Sequence, residues 1–267
     1  MKKTAVVCTA LLALACSLTA FAAKSDNVFL DKLNKSTTGT KIFATETGEK
    51  DSTPAGQQQK AEKATSMDLV LILDKSGSMY GLEKDTIGGF NSMLDKQRES
   101  DLPVKVTAVM FNNQVSTIYE RTDLDKVKNI TDKEYTPQGT TALLDAVGNT
   151  LSQMKTLPDI GAKGNKVLVV ITTDGKENAS KEWTYAKVKA LISELQEKNF
   201  EFVFLGANID AAAAAQNIGI RKENAVKYKN TKSGVQANFR AVNAMVEDYA
   251  AGEMEAGNWK KEVEEDK

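Results

Sequence analysis

The chain has 267 residues, with 35 Lys and Arg against 36 Asp and Glu, two cysteines and no histidine. Its near-neutral charge is spread without a basic patch, which leaves no footprint for a nucleic acid. The missing histidine excludes the Ser-His-Asp triad, the common zinc sites and imidazole general-base chemistry.

In chain order, the first residues carry a secretory pattern. Lys2 and Lys3 precede an apolar stretch from Ala5 to Phe21, and Ala20-Phe21-Ala22 offers a small-x-small cleavage point. A signal peptide over 1–22 is therefore expected, cut after Ala22, with export to the periplasm or beyond the cell. A retained anchor fits less well, because the stretch is short and polar sequence follows at once. Lipoprotein processing before Cys16 also fits less well, because Ala13 stands where a lipobox usually carries Leu. Membrane contact is expected only if the N-terminus is lipidated or left uncleaved. Cys8 and Cys16 both lie in this segment, so the mature chain has no disulfide and relies on its core or a bound ion. Residues 23–65 are polar and poor in large apolar side chains, which predicts a flexible linker.

Strand and helix patterns then alternate. An apolar run over 68–74 predicts a strand, and apolar residues at helical spacing (Leu82, Ile87, Phe90, Leu94) predict a helix over 80–98. Residues 104–111 and 115–119 predict a hairpin turning at Asn112-Asn113. A helix is predicted over 141–157. The continuous apolar run within 166–173 predicts a strand buried on both faces. A helix over 183–198, a strand over 200–205, a short Ala-rich helix over 211–217 and an edge strand over 226–228 follow. A last helix over 233–250 carries Val235, Phe239, Val242, Val246 and Tyr249 on one stripe. Residues 251–267 are charged and predict a fraying tail in which Trp259 is incidental. This alternation implies an α/β fold, a doubly wound, mostly parallel sheet with helices on both faces and one antiparallel edge hairpin.

Ligands of such sheets bind beyond the carboxyl ends of the strands. Two acidic turns fall there: Asp74-Lys75-Ser76-Gly77-Ser78 after the first strand, and Thr172-Thr173-Asp174-Gly175 after the buried one. The first turn alone is ambiguous, since Asp, Ser and Gly also collect at helix caps and tight turns. A third segment, Gly139-Thr140-Thr141-Ala142-Leu143, feeds a helix and brings a hydroxyl toward the same rim.

Taken together, these segments make residues 66–250 resemble the von Willebrand factor type A (VWA) domain with its metal-ion-dependent adhesion site (MIDAS), in a bacterial exported form. Asp74, Ser76 and Ser78 match the Asp-x-Ser-x-Ser element. Thr141 matches the threonine after the Gly-rich turn, with Thr140 standing where a glycine is common and remaining the alternative ligand. Asp174 matches the third element. The resemblance implies Mg²⁺, with Mn²⁺ or Ca²⁺ as alternatives, held by Asp74, Ser76, Ser78, Thr141 and Asp174. Hydroxyl ligands leave such a cation under-neutralised, so that it can accept an Asp or Glu of a partner protein. The expected function is a non-enzymatic, adhesion-type binding module. An envelope assembly subunit, with the last helix as a moving element, and a metal-assisted phosphohydrolase using Asp74 as nucleophile are the alternatives. Against the phosphohydrolase, Ser76 occupies the position where a second acid is usual. Asp145 is read as complementing its helix dipole. Glu177 and Ser180 are read as capping the helix predicted from 183, and Lys75 as solvated rather than tuning a partner's carboxylate.

Overall fold

The computed structural model describes residues 62–253 and 258–264. The expected signal peptide and nearly all of the expected linker lie outside the described residues. Six strands, β1 (Ser66–Asp74), β2 (Val104–Phe111), β3 (Val115–Asp123), β4 (Asn165–Thr173), β5 (Phe200–Ala207) and β6 (Ala225–Tyr228), form one sheet. Their order is β3-β2-β1-β4-β5-β6. Every neighbouring pair is parallel except β2 and β3, which are antiparallel. This is the doubly wound fold expected from the sequence.

The helices are α1 (Glu83–Arg98), α2 (Leu143–Lys155), α3 (Tyr185–Gln196), α4 (Ala211–Asn217), α5 (Lys232–Ala251) and α6 (Lys261–Glu264). Side chains of β1 alternate between two cores, which is why the strand reads as unbroken apolar sequence. Leu69, Leu71 and Leu73 join Phe90 of α1 and Val242 of α5 on one face. Val70 and Ile72 join Val147 of α2 and Ile192 of α3 on the other. No described helix is long and apolar enough to cross a membrane.

Several expected boundaries move, each for a local reason. The first helix begins at Glu83 rather than residue 80, because Gly81 takes φ 88° and breaks the turn. Thr141 and Ala142 precede α2 instead of opening it, and Trp183 lies in the loop before α3. Trp183 lies flat against Gly148, where any side chain would collide with the indole, and its Nε1 donates to Asn149 Oδ1 at 2.7 Å.

The predicted hairpin strand 115–119 extends to Asp123, through a bulge opposite Val106–Val109. Within that extension Arg121 adopts φ 40°, a left-handed conformation uncommon outside glycine. The strain places its guanidinium between two acids. Nε and Nη2 donate to the buried Asp68 carboxylate at 2.7 and 3.1 Å, and Nη1 and Nη2 to Asp159 at 2.5 and 3.0 Å. Asn165 Nδ2 adds a further bond to Asp68 at 2.9 Å.

The chain's end also differs from expectation. Trp259 and Val263 are 2 % exposed and belong to the core shared by α1 and α5. Trp259 is therefore a core residue. Charged neighbours masked this in the sequence, because two isolated apolar residues in a polar stretch carry no periodicity.

Candidate metal centre

In a sheet of this order the crevice opens between the strands where the winding reverses, here β1 and β4. Asp74 ends β1, and Asp174 immediately follows β4. The two expected acids therefore meet because of the topology, although they are far apart in sequence.

The Asp74 carboxylate is 2 % exposed. Its Oδ1 accepts from the Ser76 N–H at 2.7 Å and its Oδ2 from the Thr173 hydroxyl at 2.6 Å. Burial pushes its pKa up to about 6, against the pull of those hydrogen bonds and with a smaller push from the Asp174 charge. The Asp74 carbonyl accepts from the fully buried Tyr135 hydroxyl at 2.8 Å, fixing the strand end from below.

Ser76 and Ser78 follow in a short 3-10 turn, with their hydroxyl oxygens 3.1 Å apart. Ser78 Oγ donates to Asp174 Oδ1 at 2.5 Å, and Asn230 Nδ2 donates to Asp174 Oδ2 at 3.0 Å. Burial raises the Asp174 pKa above its usual range as well. A Cβ placed on Gly175 would lie 2.9 Å from Thr141 Oγ1 and 3.8 Å from Ser78 Oγ. The two hydroxyls thus approach the same backbone beside Asp174, and only a glycine leaves them room. Thr141 is buried, whereas Thr140 faces solvent, so Thr141 is the threonine that turns toward the acids.

The loops carrying these groups are laced together through their backbones. Gly77 N–H donates to the Gly139 carbonyl at 3.1 Å, and Gln138 N–H to the Lys75 carbonyl at 2.9 Å. Gly139 makes this possible by adopting φ 75° with Asn113 pressed against it. Thr141 N–H donates to Asn178 Oδ1 at 2.9 Å, while its carbonyl accepts from Asn178 and Ala179 N–H at 3.0 and 3.2 Å.

Glu177 and Ser180 do cap a helix, but it is α2 rather than the later one. Glu177 Oε2 accepts from Leu144 N–H at 2.9 Å, and Ser180 Oγ from Asp145 N–H at 3.0 Å. Thr184 caps α3 instead. Asp145 returns the favour by accepting from the N–H groups of Lys181, Glu182 and Trp183 at 2.8, 3.0 and 2.9 Å. Partial burial would raise its pKa, but these bonds outweigh burial and hold it low. The 177–183 loop and the start of α2 are therefore locked to each other, which fixes Thr141. Asn230, Tyr135 and the target of the Glu177 cap escaped sequence reasoning. Each acts across a long sequence separation, where no local pattern reports it.

The assembled donor set is two carboxylates and three hydroxyls, all oxygen. Among the described residues no group of three or more Asp, Glu, Cys or His is placed to hold a metal ion by such side chains alone. Neither Asp74 nor Asp174 has a Lys or Arg within ion-pair distance among those residues. Two neighbouring buried carboxylates without a cation are electrostatically unfavourable. Hard oxygen donors of this kind suit a hard divalent cation.

The family model of the von Willebrand factor type A domain matches residues 68–241. The chain belongs to that family. Similar solved structures include the von Willebrand factor type A protein from Catenulispora acidiphila, at 18 % identity and TM-score 0.48 over 70 % of this chain and 43 % of that one. The ArnB paralog VWA2 from Sulfolobus acidocaldarius follows at 17 % identity and TM-score 0.47, covering 67 % and 45 %. The mussel byssus protein proximal thread matrix protein 1, in a form with a zinc-occupied MIDAS motif, gives 16 % identity and TM-score 0.49, covering 68 % and 46 %. The VWA domain thus spans less than half the length of these structures. No curated protein sequence matches the chain.

Proposed function

We propose that this VWA domain is an exported, non-enzymatic binding module that captures an acidic residue of a partner protein through a divalent cation, Mg²⁺ first among candidates. The observation that carries the reading is the pair of buried carboxylates, Asp74 and Asp174, set among three hydroxyls with no Lys or Arg in ion-pair distance among the described residues. Ser76, Ser78 and Thr141 would hold the ion together with the two acids. The ion would supply an electrophilic position for an incoming carboxylate. The protein's own part is to hold the oxygens in place. Thr173 and the Ser76 N–H orient Asp74, Asn230 orients Asp174, and the Glu177–Asn178 segment orients Thr141.

Cation binding to the folded state alone raises stability by about 2.7 kcal/mol at a hundredfold excess over Kd. Thermal unfolding of the full chain with and without millimolar Mg²⁺ or Mn²⁺ measures this directly. The stabilisation should vanish in Thr141→Ala and Asp174→Ala. Melting curves indifferent to every divalent cation would defeat the proposal.

A further inference from the structure

A small cavity of about 20 Å³ lies in the core beneath the cation site, with Asp74, Thr86, Tyr135, Tyr228 and Asn238 in its lining. All five residues are buried. They come from five separate places in the fold: the end of β1, α1, the loop before α2, β6 and α5. Apart from Thr172, the rest of the lining is apolar.

The Thr86 hydroxyl, the Tyr228 hydroxyl and Asn238 Oδ1 are buried and have no hydrogen-bond partner within the chain. Five side-chain atoms among the described residues share that condition, and three of them belong to this one lining. Each such atom, left unsatisfied, costs about 1–3 kcal/mol, so three at one cavity call for a common partner. Asn238 sharpens the point. It stands on the face of α5 that otherwise gives Val235, Phe239 and Val242 to the core, where an apolar side chain would cost nothing.

The surroundings of the hydroxyls narrow what that partner is. Burial raises the Tyr135 pKa, and the Thr86 hydroxyl, which faces it, pulls the other way without reaching hydrogen-bond geometry. Burial, then the nearby Asp174, Tyr135 and Asp74, hold the Tyr228 hydroxyl protonated, which sets it among those groups. Tyr135 gives its one proton to the Asp74 carbonyl, and its oxygen can still accept. Thr86 and Tyr228 can thus donate, while Asn238 Oδ1 and the Tyr135 oxygen can accept. A water molecule offers the complementary set of two protons and two lone pairs. It needs roughly 10–15 Å³ and two to four polar partners, so the cavity has room for one.

We infer that this cavity is the binding site of a single fixed water molecule, which accepts from Thr86 and Tyr228 and donates to Asn238 Oδ1 and the Tyr135 oxygen. The water joins α1, β6 and α5 to the residue that holds the end of β1. None of its four partners is a ligand of the proposed cation, so the inference stands apart from that reading.

Thermal unfolding of the full chain in chelator tests it with no cation contributing. Tyr228→Phe, Thr86→Val and Asn238→Leu each nearly keep the side chain's size and remove one polar group. Losing a hydrogen bond to the water should lower the Tm by about 2–4 °C in each. The three groups share one ligand, so the double variant Tyr228→Phe/Thr86→Val should lose less than the sum of its singles. A crystal structure of the full chain should show one water within hydrogen-bond distance of Tyr228 Oη, Thr86 Oγ1 and Asn238 Oδ1. Substitutions that raise the Tm would show the groups to be unpartnered and overturn the inference. Strictly additive losses, or no ordered water density in the cavity, would overturn it as well.

Discussion

Substituting Asp74 by Asn should make the metal-free protein more stable and the metal-loaded protein less so. Burial lifts the folded-state pKa of Asp74 from 3.8 to about 6. Between those values the folded state holds a proton that the unfolded state has released, so stability falls as pH rises through that window. One pKa unit corresponds to about 1.36 kcal/mol, so the ionised carboxylate costs on the order of 3 kcal/mol at neutral pH in the absence of a cation. Asn removes that cost while keeping an oxygen for the Ser76 N–H. Thr173 can accept from the new amide, since its hydroxyl already has Gly175 O as a second acceptor at 3.2 Å. In chelator at pH 7.5, urea denaturation should therefore show Asp74→Asn above the wild type by up to about 3 kcal/mol. The difference should close as pH falls below the unfolded-state value of 3.8, where Asp74 is protonated in both states. With excess Mg²⁺ the order should reverse, because the cation favours the charged form and Asn offers it no charge. A variant that is less stable than wild type in chelator at every pH, or one that still gains stability from Mg²⁺, would refute this reasoning.

Replacing Arg121 by Ala strands the buried Asp68 carboxylate. It should cost about 3–5 kcal/mol in denaturant unfolding, the usual loss when one partner of a buried pair is removed. Trp259→Ala should also cost about 3–5 kcal/mol, as expected for a buried indole, and a near-neutral result would show that the chain end does not pack as described. Asn230→Ala removes the amide that holds Asp174 Oδ2. Calorimetric titration should show Mg²⁺ affinity reduced about 10–100-fold, the usual effect of losing a group that orients a ligand, while unfolding in chelator changes little.

The fold was legible because its strands are buried on both faces and its helices are amphipathic, so periodicity alone separated them. The site residues were legible for a related reason. Asp74 and Asp174 stand at the ends of unmistakable strands, and topology alone brings such ends together. The supporting shell was not legible. Glu177 bonds to Leu144 N–H and Tyr135 to the Asp74 carbonyl, each across a gap in sequence that no local rule spans. Arg121 was missed because a bulge interrupts the alternation that would have announced the rest of β3. Trp259 was missed because its neighbours are polar or charged, and its packing back onto α5 leaves no periodic pattern in so short a stretch.

The position of β1 bears on how the domain would carry load. The described chain enters through Ala64, whose N–H is bonded to the Ala250 carbonyl at 2.8 Å, and runs straight into β1, which ends at Asp74. A tether pulling from the N-terminal side and a ligand pulling at Asp74 would therefore draw on opposite ends of a single strand. That strand is paired with β2 on one side and β4 on the other along nearly its whole length. Force along it runs across the evenly spaced hydrogen bonds of both parallel ladders. The bonds are then strained together in shear and are not opened one at a time like a zipper.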